Sequence, residues 1–310
     1  MARSPVLFQT GIEMAGKRQS TEKVMRTFFF CVATASIAVL FMIMVFLFME
    51  GLPVFNMVSV KDFLFGVYWY PTSDPPDFGI FPLIVASLAV TAVSALIAIP
   101  LGVMTAIYLA ELASKRVAEI FKPIVELLAA LPSVVIGFFG MVIVAPFLQN
   151  VFDVATGLNL FNASLMLAFM SIPTICSISE DAIYSVPNAL REGSMALGAT
   201  QWETIFRVVV PASISGIATA IILGMSRAVG ETMVVLMAAG GAAMVPSSIF
   251  DPVRPMPASI AAEMAEAPFR GDHYYALFAT GIVLFLFTLF FNIIADIIAT
   301  RYRQVGEASL

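Results

Sequence analysis

The chain has 310 residues, of which 60% are hydrophobic and 12% charged, with a formal net charge of −5. Soluble domains carry about 25% charged residues, so this chain cannot cover a water-facing surface, and the lipid bilayer must be its solvent. That composition excludes a soluble globular protein, and no nucleic-acid partner is expected.

Residues 1–26 form a polar, basic tail, expected in the cytoplasm. The first apolar run, residues 27–49, lacks an A-x-A-like cleavage site at its end, so it is expected as a retained helix and not a cleaved signal. Residues 50–80 form a long outer segment with Trp69-Tyr70-Pro71 and Pro75-Pro76. A transmembrane domain is expected over 81–300. Its spans are expected at 81–110, kinked at Pro100; 123–147, interrupted by Pro132; 161–178, with Pro173 inside; 212–238; and 275–300. The span at 161–178 carries the weakest signal, because it is short and runs into Ser179-Glu180-Asp181. A second outer segment, 239–274, holds Pro246, Pro252, Pro255 and Pro257. Prolines and interfacial aromatics point there to ordered structure facing a partner or the pore mouth. Residues 301–310 are a short tail.

Basic residues set the orientation. Arg3, Lys17, Arg18, Lys23, Arg26, Lys115, Arg116, Lys122, Arg191, Arg207, Arg301 and Arg303 fall on one side. Only Lys61, Arg254 and Arg270 fall on the other, and Arg227 lies within a span. The positive-inside rule then places both termini in the cytoplasm, as an even number of spans requires.

The strongest motif lies between the fourth and fifth spans. Glu192-Gly193-Ser194 is followed, after three residues, by Gly198, and after nine more by Val208-Val209-Val210-Pro211. The pattern predicts an amphipathic helix, a glycine-permitted turn, and a second helix ended before proline. Glu192 near the start of the first helix suits its positive end. A helix pair outside the bilayer fits contact with another protein, or else rest on lipid headgroups.

This spacing is similar to the EAA loop of ABC importer permeases, E-A-A-x3-G-x9-I-x-L-P, with Gly193 and Ser194 standing for the alanines and Val208 and Val210 for Ile and Leu. The stretch 186–200 resembles the PstC subunits of phosphate-specific transporters, as do Ile107-Tyr108-Leu109-Ala110-Glu111, residues 126–135, and Arg227-Ala228-Val229-Gly230-Glu231-Thr232. The resemblance runs from about Gly51 onward. It implies an all-α, type I ABC importer transmembrane domain in a bacterial inner membrane. It also implies partners: a related, PstA-like permease subunit, two PstB-like ATPase subunits, an external PstS-like phosphate-binding protein, and inorganic phosphate as cargo. Segment 186–211, through Glu192, Gly193, Ser194, Gly198 and Pro211, would dock into an ATPase cleft.

Arg227 and Glu231 fall near the middle of the expected fifth span. A charge at that depth costs at least about 2.5–3.5 kcal/mol, so an intramembrane ionisable pair marks a functional-site hypothesis. At i, i+4 the two side chains are expected to share a helix face and pair. A guanidinium fork suits a tetrahedral oxyanion, and the resemblance matches both residues to positions thought to matter for transport. A purely self-neutralising pair is the plainer alternative. Gly216, Ala220, Gly224 and Ala228 form a small-residue stripe within roughly a quarter turn of the pair, a seam either internal or with a partner.

Other features carry less. Gly11, four residues, then Gly16-Lys17-Arg18 resembles a P-loop, but Arg18 stands where Ser or Thr would hold magnesium and no strand precedes it. No ATPase domain fits in the remaining polar residues, so energy must come from another chain. His273 is expected as an outer surface residue, and Glu111, Glu119 and Glu126 as interfacial anchors. Cys31, Cys176 and the 18 methionines are expected in packing roles. No catalytic constellation, metal cluster or cofactor site is expected. The rival readings are another oxyanion or an organic solute as cargo, and an ion-driven secondary transporter.

Overall fold

The computed structural model describes the backbone of residues 6–307 and the side chains of residues 22–294 and 297. It separates into two units, residues 1–50 and 51–310. The first is α1 (Val6–Gly51). Its apolar stretch exposes Phe28, Phe29 and Phe30 among others, a lipid-facing composition.

The second unit opens with a 3-10 turn, Leu52–Asn56, and α2 (Val60–Phe65), capped by Ser59, whose Oγ accepts from the Asp62 N–H at 3.1 Å. A two-residue hairpin follows, β1 (Trp69–Tyr70) against β2 (Asp77–Phe78), with Trp69 opposite Phe78. The helices are α3 (Phe81–Ile107), α4 (Lys115–Ala129), α5 (Ser133–Phe139), α6 (Ala145–Phe152), α7 (Leu160–Tyr184), α8 (Asn188–Ala196), α9 (Gln201–Thr204), α10 (Val210–Val229), α11 (Met233–Ala238), α12 (Met256–Glu263) and α13 (Asp272–Glu307). Single π turns at Tyr108–Leu112, Gly140–Val144 and Ile205–Val209 extend α3, join α5 to α6, and join α9 to α10. Among the described residues, six helical stretches are long and apolar enough to cross a membrane.

The boundaries depart from expectation in instructive ways. The third span runs over Ser133–Phe152, because the segment before Pro132 folds separately as α4, which buries no residue. Its charges and apolar residues divide between two faces, as suits an interfacial helix. Glu119 and Glu126 are exposed on it. The fifth span starts earlier, at Gln201, and ends at Val229. Pro100 is accommodated inside α3 without ending it.

The weakest span of the sequence becomes the centre of the bundle. In α7, 61% of the apolar window is buried, against 22–39% in the other spans of this unit. It packs most extensively against α3 and α10. Its polar residues are tolerated because protein, not lipid, surrounds them. Asn162 Nδ2 donates to the Gly140 and Gly157 carbonyls at 3.0 and 2.9 Å, and Ser164 Oγ to the Leu160 carbonyl at 2.8 Å. Cys176 is buried here, whereas Cys31 is exposed on α1.

The small-residue stripe of α10 is an internal seam. Ala220, Gly224 and Ala228 are buried, and a Cβ on Gly216 would lie 2.3 Å from the Cβ of Ala182 on α7. The main apolar core, Ala86, Val90, Met166, Leu167, Val234 and neighbours, fills the space among α3, α7 and α11. The second core lies at the hairpin end, where Phe63, Trp69, Phe78 and Ile80 meet Leu277 of α13. There Asp251 closes a turn: its Oδ2 accepts from Ser247 Oγ at 2.8 Å and from the Ser247 and Ser248 N–H groups at 2.7 and 2.8 Å. The Ser247 hydroxyl, then the two backbone donors, hold its carboxyl below the usual range.

Candidate functional site

At the end of the bundle opposite the hairpin, α7 stops at Tyr184 and Pro187 turns the chain into α8. Gly198 ends that helix at φ +90°. The Gly198 N–H donates to the Met195 carbonyl at 2.9 Å and the Ala199 N–H to that of Ser194 at 3.2 Å. This is a Schellman closure, with glycine in the left-handed position that a Cβ disfavours. A Cβ on Gly198 would meet nothing within 4 Å, so within this chain the requirement is the backbone's and not one of space. Thr200 then opens α9 with a capping box: its Oγ1 accepts from the Glu203 N–H at 3.3 Å, and the Thr200 N–H donates to Glu203 Oε2 at 3.0 Å. Ser194 Oγ and Thr204 Oγ1, 2.9 Å apart, join the two helices.

Pro211 does not follow the end of a helix, as the sequence pattern suggested. It sits in the first turn of α10, and the helix runs through it from Gln201. The π turn at Ile205–Val209 absorbs the missing N–H and the ring, which would otherwise break the ladder.

The α8–α9 pair presents an open surface. Glu192 and Gly193 are exposed, and Leu197 is 92% exposed. A cavity of about 590 Å³ runs over Leu190, Gly193, Ser194 and Gly198 to Arg207. Trp202 and Phe206 stack on each other at 6.0 Å, both exposed.

Behind this surface lies a partly buried ion pair. Arg191 of α8 donates from Nη2 to Glu111 Oε1 at 2.6 Å and from Nε to the same oxygen at 3.1 Å. Its Nη2 also donates to the Ile183 carbonyl at 2.9 Å, and its Nη1 to that of Val186. The two side chains are 15% and 11% exposed, so Glu111 is a partnered acid and not an interfacial anchor. Lys122 of α4 bridges to Glu180 and Asp181 of α7, each at 3.2 Å. Burial acts to lower the Lys122 pKa, but hydrogen bonds to Asp181 and Glu180 outweigh it and the net shift is upward.

Arg227 and Glu231 do not pair. The helix ends at Val229, and Gly230 takes the chain out of register before Glu231. Glu231 Oε1 instead accepts from the N–H groups of Met233 and Val234, at 3.1 and 3.4 Å, at the start of α11. Arg227 is exposed on the last turn of α10. Among the described residues its guanidinium has no hydrogen-bond or ion-pair partner. Beside it, Ser226 Oγ donates to Asn292 Oδ1 of α13 at 2.7 Å.

At the hairpin end, His273 is buried in a cluster and is not a surface residue. Trp69 Nε1 donates to both oxygens of Glu263, at 3.1 and 3.0 Å. His273 Nε2 lies 2.8 Å from Glu263 Oε2, Arg254 Nη1 donates to Glu263, and Arg254 Nε donates to the Gly241 carbonyl at 2.7 Å. A cavity of about 510 Å³ opens beside them.

Residues 98–304 match the family described as binding-protein-dependent transport system inner membrane component. The chain belongs to this family. It is 39% identical over 263 residues to the probable ABC transporter permease protein YqgH of Bacillus subtilis, covering 84% of this chain and 85% of that one. It is 31% identical to the phosphate transport system permease protein PstC of Haemophilus influenzae, over 87% of this chain and 92% of that one. For PstC of Mesorhizobium japonicum the figures are 35%, 77% and 78%. The fold is that of ABC importer transmembrane subunits. A bacterial alginate ABC transporter aligns with TM-score 0.61 at 17% identity, over 90% of this chain and 96% of that one. The MetNI methionine transporter aligns with TM-score 0.54 at 20% identity, over 70% and 93%. As a permease of this family the chain is a multi-pass transporter component and not an enzyme.

Sequence reasoning found the α8–α9 permease segment but missed the Arg191–Glu111 pair and the Glu263 cluster. Each acid and base stood near a helix end, where interfacial anchors also stand. Only the tertiary fold brings residues 80 or 194 positions apart into contact.

Proposed function

We propose that the chain is one permease subunit of an ATP-driven importer that moves inorganic phosphate across the bacterial cytoplasmic membrane. The observation that carries this reading is its likeness, over most of its length, to permeases named for phosphate transport. A related permease subunit completes the pathway, two ATPase subunits supply energy, and an external binding protein delivers the anion.

In this reading Glu192, Gly193, Ser194 and Gly198 form the surface that docks into an ATPase cleft, and Pro211 marks where that segment enters the membrane. Leu197, 92% exposed beside the cavity, and the exposed Trp202–Phe206 pair are large apolar side chains that a protein partner would cover. Both termini and this segment face the cytoplasm, from the excess of Lys and Arg on that side. Labelling of a cysteine at position 200 from outside intact cells would contradict this.

Arg227 serves the anion. Arg227 lies on the last turn of its span and not at the middle expected from sequence, and among the described residues it has no carboxylate on it, which leaves its charge for a polar pathway at that end. There it offers a charge-assisted fork to phosphate oxygens. Glu231 shapes the turn after α10 and holds the start of α11, so that the break in the helix stays fixed.

The test is purification through a tag on this chain in mild detergent. Recovery of an ATPase subunit and a second permease, with a phosphate-binding protein engaging the complex, supports the reading. Recovery of the chain alone, with ion-driven flux, overturns it.

A further inference from the structure

We propose that Arg191 and Glu111 form a rigid joint that carries motion of α8 to α3 and α7, beside the direct helical path from α9 into α10. The proposal rests on the reading of that segment as the ATPase contact.

Only Ser185, Val186 and Pro187 separate α7 from α8. A link of three residues leaves α8 free to pivot unless side chains fix its angle. Arg191 fixes it on two sides at once. Its donors reach the carbonyl of Ile183 in the last turn of α7 and that of Val186 in the link, and its fork grips Glu111 at the end of α3. Gln201 Nε2 adds a bond from α9 to the Glu111 carbonyl at 3.3 Å. One guanidinium thus ties the segment to both α3 and α7.

Those two helices lead on to α10. Ile175 of α7 lies against Gly102 of α3 and Gly224 of α10, and Arg227 is three residues beyond Gly224. A displacement of α8 that is not lost at the 185–187 link is delivered to this packed trio. Packed elements pass such a shift on because they have discrete arrangements and little give. Stability alone is a poor reason to keep the pair, since an ion pair shielded from water this far is often replaced by apolar residues at little cost. Directional bonding to two helices is something apolar residues cannot supply.

Arg191 and Glu111 are positioning residues, with no contact to the cargo. The test uses the whole complex, reconstituted with its ATPase subunits and binding protein. The double variant Glu111→Leu with Arg191→Met keeps the volume and removes the bonds. We expect it to assemble and hydrolyse ATP while phosphate moved per ATP falls about tenfold, within the range by which coupling residues act. Arg191→Lys keeps the charge but cannot span Glu111 and both carbonyls, and should give an intermediate ratio. An unchanged ratio in the assembled double variant overturns the proposal. If the double variant does not assemble, the Lys variant decides by the same criterion. If neither assembles, the pair is a folding requirement and the proposal also falls. Gly198→Asp is run beside them: normal transport by that variant defeats the ATPase-contact reading itself, whereas uncoupling there with an unchanged ratio in the pair variants defeats only the joint.

Discussion

Ile175 fills the space that a side chain on Gly224 would need. A Cβ on Gly224 would stand 2.5 Å from Ile175 Cγ1, and one on Gly102 would stand 2.8 Å from Ile175 Cγ2. The closeness of α3, α7 and α10 therefore depends on two glycines facing one branched side chain. Gly224→Ala should destabilise the permease by about 1–3 kcal/mol through overpacking. Ile175→Ala should cost about 2–5 kcal/mol through the cavity it leaves. Combined, the two should cost less than their sum, because each relieves the other. Thermal unfolding in detergent across this cycle checks it, and strict additivity would contradict the packing account.

Gly198→Asp should leave membrane insertion and abundance unchanged. Its backbone at φ +90° closes α8, and a side chain there either strains the turn by about 1–2 kcal/mol or alters the surface beside Leu197. The expected result is ATP hydrolysis without phosphate uptake in reconstituted vesicles. Full uptake at matched expression would contradict the role given to this segment.

Glu263 accepts from Trp69, Arg254 and Ser259 and contacts His273. Glu263→Ala strands these partly buried groups together and should lower stability by about 2 kcal/mol, less than loss of one member of a fully buried charged network. Trp69→Phe removes one donor and should cost about 1 kcal/mol. Limited proteolysis of the 50–80 segment should report both, faster in the first variant. Equal resistance of Glu263→Ala and wild type would show that the cluster does not hold the hairpin.

Much of this fold was legible from apolar run length, because the bilayer imposes that length. The EAA-like spacing was legible because a glycine at positive φ and a proline near the membrane entry are local requirements. What failed was tertiary. The Arg227–Glu231 pair assumed that the helix continued, but Gly230 ends it. The span at 161–178 looked weak because it is short and runs into Ser179-Glu180-Asp181, yet the helix continues to Tyr184 and Lys122 meets Glu180 and Asp181 at its end. His273 looked solitary because Glu263 and Trp69 reach it only through folding.

Without an Arg227–Glu231 bond, their substitutions should act separately. Glu231→Gln keeps an oxygen for the Met233 and Val234 N–H groups and should assemble at the wild-type level. Arg227→Gln should also assemble yet transport at least about tenfold less, an effect of about 1.4 kcal/mol on the pathway. Arg227→Lys keeps charge but not the fork and should be intermediate. Wild-type transport by Arg227→Gln, at equal amounts of complex, would remove this residue from the anion pathway.

The most direct measurement is radiolabelled phosphate uptake into proteoliposomes that hold the complex purified through this chain, with binding protein outside and ATP inside. Uptake should require ATP and the binding protein, and should resist competition from sulfate and molybdate. Preferential accumulation of another oxyanion or an organic solute, or phosphate flux that continues without ATP and follows an ion gradient, would contradict the account.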